Sequence, residues 1–371
     1  MRTTHQTDAP RRSNTRDPWF DNAKMALVTL VVVGHAWVLL PSTGLSDTLY
    51  DFLYAWHVPA FVFVTGYLSR SFEWDRMRLW KLVRTVAVPY VIFESLLALF
   101  RIHVGGEELE ELFLDPHWPM WYLSALFFWR LMTPLFRGMP WGLPVAVGIS
   151  LAAGLWAGDT FDVARILGLL PFFVAGLKAR PEHLERLRDA RWRPYAVAVL
   201  ATILVLSLWT DTWAATEWLY YRAMYDELPG GDLRAFATRS AVLLMGALGA
   251  AAFLSLVPRR GGWFTRMGTW TLVVYLFHGF PVKGAAYAGY EAIGAWGAVV
   301  GILVTTLLAV GLALLLAWEP LASRLNLVVD PIGPVERRLR ARRERARAAD
   351  GAGDQAGERE RETAGAGPGR R

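Results

Sequence analysis

Apolar residues run in long blocks along this chain, broken by short polar or charged stretches. Blocks of ~20 apolar residues, at a helical rise of ~1.5 Å each, match a ~30 Å hydrocarbon core. The pattern predicts ten spans, at 19–40, 49–69, 80–101, 118–136, 141–157, 162–178, 194–210, 236–257, 267–283 and 292–318. The expected fold class is all-α, a polytopic membrane helical bundle of about ten transmembrane helices. The fifth and sixth spans are short and separated only by "AGDTFD". Three parts follow: an N-terminal segment 1–18, a membrane domain 19–318 and a tail 319–371.

Charge between the blocks orients them. "RSFEWDRMRLWKLVR" (70–84), "KARPEHLERLRDARWR" (178–193) and "PRRGGWFTR" (258–266) are rich in Arg and Lys, whereas "GGEELEELFLDP" (105–116) and "DTWAATEWLYYRAMYDELPGGD" (211–232) are acidic. With an even number of spans the basic loops share a side with both termini, which the positive-inside rule makes cytoplasmic. The expected location is the cell membrane, multi-pass, with both termini in the cytoplasm. The N-terminal segment is basic, and no small-residue cleavage site follows the first span, so a retained anchor is expected. The tail opens as "VERRLRARRERARAAD" and decays into Gly, Ala and charge, a composition that is expected to be largely disordered and drawn to anionic lipid.

Composition narrows the chemistry. The 371 residues are 54% apolar with 18 Trp and no Cys. Disulfides, thiolate nucleophiles and Cys-ligated metals are therefore excluded. The net charge of +6 reflects loop topology and the tail, so nucleic acid is not an expected partner, whereas membrane lipid is.

Polar residues inside apolar blocks need partners or a cavity, because charge at bilayer depth costs several kcal/mol otherwise. The first span, "WFDNAKMALVTLVVVGHAWVLL", carries Asp21, Lys24 and His35. Eleven residues separate Lys24 from His35, ~16 Å along the axis and nearly back to the same face. Gly34 thins the helix beside His35. A plainer arrangement is also open, in which Lys24 pairs with Asp21 and His35 is a packing residue. His57, His117 and His278 join His35 in the outer half of the bundle, four of the seven histidines. Pro59, two residues past His57, opens the helix next to that imidazole. The remaining deep charges, Glu94 and Arg130, are expected to form a structural ion pair or to support an imidazole.

Four stretches carry a family resemblance. "WFDNAKMALVTLVVVGH" resembles the first-span signature of the membrane acyltransferases of acyltransferase family 3, in particular their fucose 4-O-acetylase-like branch. "HVPAFVFVTGYLSR", "MWYLSALFFWRL" and "TLVVYLFHGF" resemble three later segments of that family, in the same order. Two positions depart: Lys24 stands where many relatives have Arg, and Val58 where Met is usual. Lysine keeps the charge and loses the bidentate fork.

The resemblance implies transfer of an acyl group, usually acetyl, from cytoplasmic acyl-CoA to a hydroxyl of a carbohydrate or lipid-linked sugar. Acetyl-CoA would be a donor substrate, with no tightly bound cofactor and no metal. It implies a catalytic set of His35, Lys24 and Asp21 supported by His57, His278 and Trp121, with Arg76 and Arg78 as an Arg-x-Arg element for acyl-CoA. Such transfer needs a base for the hydroxyl proton or a nucleophile to carry the acyl group, and His35 suits either role. A transporter or flippase for a surface glycan, and a bis-histidine haem protein using His35 with His57, are the alternatives from other classes.

Overall fold

The computed structural model describes residues 17–109, 113–158, 160–222, 224–226 and 231–336, with positions 338, 339, 341, 342 and 344 beyond. Most of segment 1–18 and of the tail lies outside these residues. Helices follow one another as α1 (Pro18–Trp37), α2 (Gly44–Tyr54), α3 (His57–Leu68), α4 (Arg76–Leu82), α5 (Val88–Gly105), α6 (Trp121–Gly138), α7 (Gly142–Ala153), α8 (Val163–Gly168), α9 (Leu170–Lys178) and α10 (Pro181–Leu187). After them come α11 (Arg193–Ser207), α12 (Thr210–Trp213), α13 (Thr216–Leu219), α14 (Asp232–Leu256), α15 (Trp263–Met267), α16 (Thr271–Phe277), α17 (Gly279–Tyr287), α18 (Ala298–Ala317) and α19 (Glu319–Val329). No strand occurs among the described residues.

All ten apolar blocks are helical, which agrees with a helical membrane protein, but ten independent spans is a correction to make. Among the described residues only Arg76–Gly105, Leu233–Leu256 and Ala298–Ala317 are each long and apolar enough to cross a membrane; Thr160–Gly168 with Leu170–Lys178, bent by 53°, makes a fourth if counted as one. The reason lies in prolines and charges. Pro59 has no N–H for the carbonyl of Ala55, and the second block breaks into α2 and α3 at Ala55 and Trp56. Pro281 does the same for Phe277, and the ninth block breaks at His278. In α1 and α6 the obstacle is charge: Asp21 and Lys24 in one, Arg130 and Arg137 in the other.

α1 is the hub, packed against α2, α3, α15, α16 and α18. Asp17 caps its start by accepting from Trp19 N–H at 3.0 Å, and Pro18 occupies the first turn, where its missing donor costs nothing. α3 and α9 cross so closely that a Cβ on Gly66 or Gly176 would collide with the backbone of Phe173 or Phe63. Leu303, Leu307 and Leu308 of α18 are left exposed, an apolar surface suited to lipid.

The basic loops do meet on one face. Arg188 pairs with Asp17 at 2.7 Å, Arg259 with Glu185 at 3.0 Å, and Asn22 donates to the carbonyls of Pro258 and Arg260. Arg137 reaches the carbonyl of Arg70, and Lys178 that of Arg137. On the opposite face Thr216 binds Asp51, Tyr220 binds Tyr50, and Lys283 binds Glu107. Residues 319–329, assigned from the sequence to the tail, form α19 with Ala322 and Val329 buried.

Candidate active site

His35 sits in the last turn of α1 and His278 at the break between α16 and α17. Both are buried, and His35 Nδ1 lies 2.8 Å from His278 Nε2. The other ring nitrogen of His278, Nδ1, faces the carbonyls of Tyr275 at 2.6 Å and Val274 at 3.2 Å. A carbonyl only accepts, so His278 Nδ1 carries the proton and its Nε2 is an acceptor. His35 must then donate from Nδ1, which leaves His35 Nε2 with a free lone pair. Two neutral imidazoles in series thus present one base of defined tautomer. His57, at the other broken helix, faces the carbonyl of Leu53 through Nδ1 at 2.7 Å.

Two cavities lie along this face of α1. The smaller, about 40 Å³, is lined by His35, His57, Tyr54, Val58, Trp121 and the rings named next. The larger, about 260 Å³, is lined by Lys24, Arg130, Thr65, Thr85, Thr271 and apolar side chains. Phe61, Tyr122 and Tyr275 line both and form the wall between them. Tyr122 shares a hydrogen bond with Thr65, and Tyr275 donates to the carbonyl of Pro119.

Lys24 and Asp21 pair with each other at 2.8 Å, and Lys24 also donates to the carbonyl of Gly268 at 3.0 Å. Lys24 lines the larger cavity with Asp21 behind it, while His35 lines the smaller one, so the structure does not bring the expected set His35, Lys24 and Asp21 together at one point. Trp121 and His57 are brought to His35, as is His278. Arg76 and Arg78 are not. Arg78 is held by Glu73 at 2.8 Å and Asp75 at 3.2 Å, and Arg76 lies with Met77 and Trp80 on an open patch of the basic face.

Of the two arrangements expected for Glu94, the ion pair with Arg130 does not form among the described residues, and the contact with an imidazole, that of His117, does. Glu94, fully buried in α5, accepts from the backbone N–H of His117 at 2.9 Å and bonds the His117 ring as well. A buried carboxylate left alone would cost several kcal/mol, and the loop preceding α6 supplies its partners through His117. That loop matters, because the ring of Trp118 packs 4.3 Å from His35 and the Pro119 carbonyl receives Tyr275. Glu94, Trp118 and Tyr275 were missed as site residues. Only the acidic residue in an apolar block signalled one of them. Across the smaller cavity Arg165, paired with Asp162 at 2.9 Å, lies over the Trp121 ring.

Fold and site together define a helical membrane-type protein whose buried histidine pair borders the smaller of two adjoining cavities. Residues 17–318 match the acyltransferase domain of acyltransferase family 3, and the chain belongs to that family. It is an acyltransferase. No curated protein and no solved structure matches the chain.

Proposed function

We propose that this acyltransferase transfers acetyl from acetyl-CoA to a hydroxyl of a carbohydrate or lipid-linked sugar at the cell membrane, with both termini cytoplasmic, and that it belongs to the fucose 4-O-acetylase-like branch. The observation that carries the reading is the His35–His278 bond, which leaves His35 Nε2 as a base inside an enclosed cavity. The donor enters from the basic face, where Arg76 and Arg78 meet its nucleotide end, and its pantetheine arm lies in the larger cavity past Lys24 and Asp21. The acetyl group reaches the smaller cavity. Its volume of about 40 Å³, against the ~10–15 Å³ that one water needs, suits a group as small as acetyl.

His35 Nε2 takes the acceptor's hydroxyl proton as the oxygen bonds the thioester carbonyl carbon. The tetrahedral intermediate then expels the CoA thiolate by breaking the C–S bond, and the His35 imidazolium returns the proton to sulfur. His278 accepts from Nδ1 throughout, holding the tautomer. His57 and Trp121 enclose the reacting hydroxyl and keep water out.

Mass spectrometry of surface glycans and lipid-linked sugars tests this in cells carrying the wild type or His35→Ala. Loss of one acetyl group from a sugar species in the variant is the expected result and names the acceptor. Identical acyl content in both, with glycan export changed instead, would replace the reading by a transporter.

A further inference from the structure

The larger cavity contains two cationic side chains, and they are in unlike states. Lys24 is matched by Asp21 and by the Gly268 carbonyl. Arg130 is half-buried in α6, its side chain lines the cavity, and among the described residues no carboxylate pairs with it. A charge in such a place is costly unless something meets it. Glu94, the deep acid of the neighbouring helix, is bound to His117. Two cations nearer the surface are already engaged, Arg78 by Glu73 and Asp75 and Arg84 by Asp330 and Glu336.

Depth adds a second constraint. Arg130 stands eight residues before the basic-face end of α6, or ~12 Å, while His35 stands seventeen residues from that end of α1, or ~25 Å. A ligand reaching from one to the other spans ~13 Å of depth. Thr65, Thr85 and Thr271 supply hydroxyls along the way, and the rest of the lining is apolar.

We infer that Arg130 is the residue that receives the donor's phosphate, at the end of the pantetheine arm remote from the thioester. The inference rests on the donor reading above and adds to it an anion-binding residue inside the bundle, deeper than the Arg76 and Arg78 loop. Arginine's planar fork suits a phosphate oxygen pair, and the enclosure makes each charge-assisted bond stronger than on the surface. The ligand brings the anion, so the empty-handed cation is a feature of the free enzyme.

The test uses the purified full chain in nanodiscs and measures equilibrium binding of CoA and of pantetheine, which lacks every phosphate. Arg130→Met is the variant of choice, since it keeps side-chain length and removes a charge whose burial opposes folding. CoA affinity is expected to fall about tenfold or more, as for one lost charge-assisted contact, while pantetheine affinity stays within about twofold. Arg130→Lys should keep most of the CoA affinity. Equal CoA affinity in wild type and Arg130→Met overturns the inference, and so does an equal loss for pantetheine, which would mark a packing role. Wild-type protein that binds no CoA would instead remove the donor reading itself, an outcome visible before any variant is made.

Discussion

The two ends of α1 hold their polar side chains in different ways. Near the basic face Asp21 and Lys24 satisfy each other three residues apart, with one backbone carbonyl from Gly268. Near the opposite face His35 has no partner on its own helix and is met by His278, 243 positions away. A local pair screens its own charge, so the uncompensated charge of the cavity beside it sits on Arg130 rather than on Lys24. A long-range pair fixes which nitrogen carries the proton, and that is what a base requires. One helix therefore borders two cavities, to which the proposed function gives donor binding and proton transfer.

The comparison breaks most sharply at His35. His35→Ala should leave folded protein and lower kcat by about 10³, within the range for loss of a general base, and single-turnover assays of acetyl transfer check it. His278→Ala should cost about 10², since His35 then loses the acceptor that sets its tautomer. His278→Gln should recover part of that loss because an amide oxygen also accepts. Equal losses at His35, His57 and His278 would point instead to a ligand held jointly by all three.

Glu94→Ala should reduce kcat by about tenfold through the His117–Trp118–Pro119 loop, as removal of an orienting partner does. Glu94→Gln, which still accepts from the His117 N–H, should recover most of it, measured as kcat with the donor KM unchanged. At the other end of α1 the effects should fall on binding. Lys24→Met and the double variant Arg76→Ala, Arg78→Ala should raise the acetyl-CoA KM by about threefold to fivefold with kcat held, because contacts remote from the reacting carbonyl act on binding. Added salt should mimic the double variant weakly, since exposed charges are screened over ~8 Å at physiological ionic strength.

The smallest expected effect lies at the far rim. Burial by itself raises the Glu107 carboxyl pKa, but hydrogen bonds from Arg101, Tyr287 and Lys283 outweigh it and hold the value down at about 2. A depressed carboxylate stabilises the fold above its ordinary pKa and loses that stabilisation as pH falls through the folded value. The tie from α5 to α17 should therefore persist at about pH 4, near the ordinary carboxylate value, and be lost toward pH 2. Amide exchange around residues 105–107 would show it, and Glu107→Gln should remove the pH dependence while changing activity by less than about twofold.

Several of these residues were legible in the chain. Asp21 and Lys24 are spaced for a helical pair, Pro59 forecast an opened helix beside His57, and the Arg-rich loops forecast a common face, all through interactions within a few residues. His35 and His278 each stood out as polar residues in apolar blocks. The choice of His278 over His57 as the partner of His35 was not legible, because both imidazoles bind a carbonyl of their own helix through Nδ1 and only the packing of the helices brings the Nε2 of His278 to His35. Glu94 was visible as a buried acid, yet its partner lay in a loop whose course depends on packing, not in the next apolar block where Arg130 waits.

By itself the sequence determined the helical class, the basic and acidic faces, the family and the candidate base. The class and the faces follow from hydrophobic period and charge count, which act over one or two helical turns, the candidate base from a polar residue inside an apolar block, and the family from the resemblance of four stretches in order. Tertiary structure decided which blocks stay whole, which imidazole orients His35, where Glu94 spends its charge and how the cavities divide at Phe61, Tyr122 and Tyr275. The physical reason is that a buried polar group must find a partner wherever the packed helices bring one, and nothing in the local pattern records which distant residue that will be.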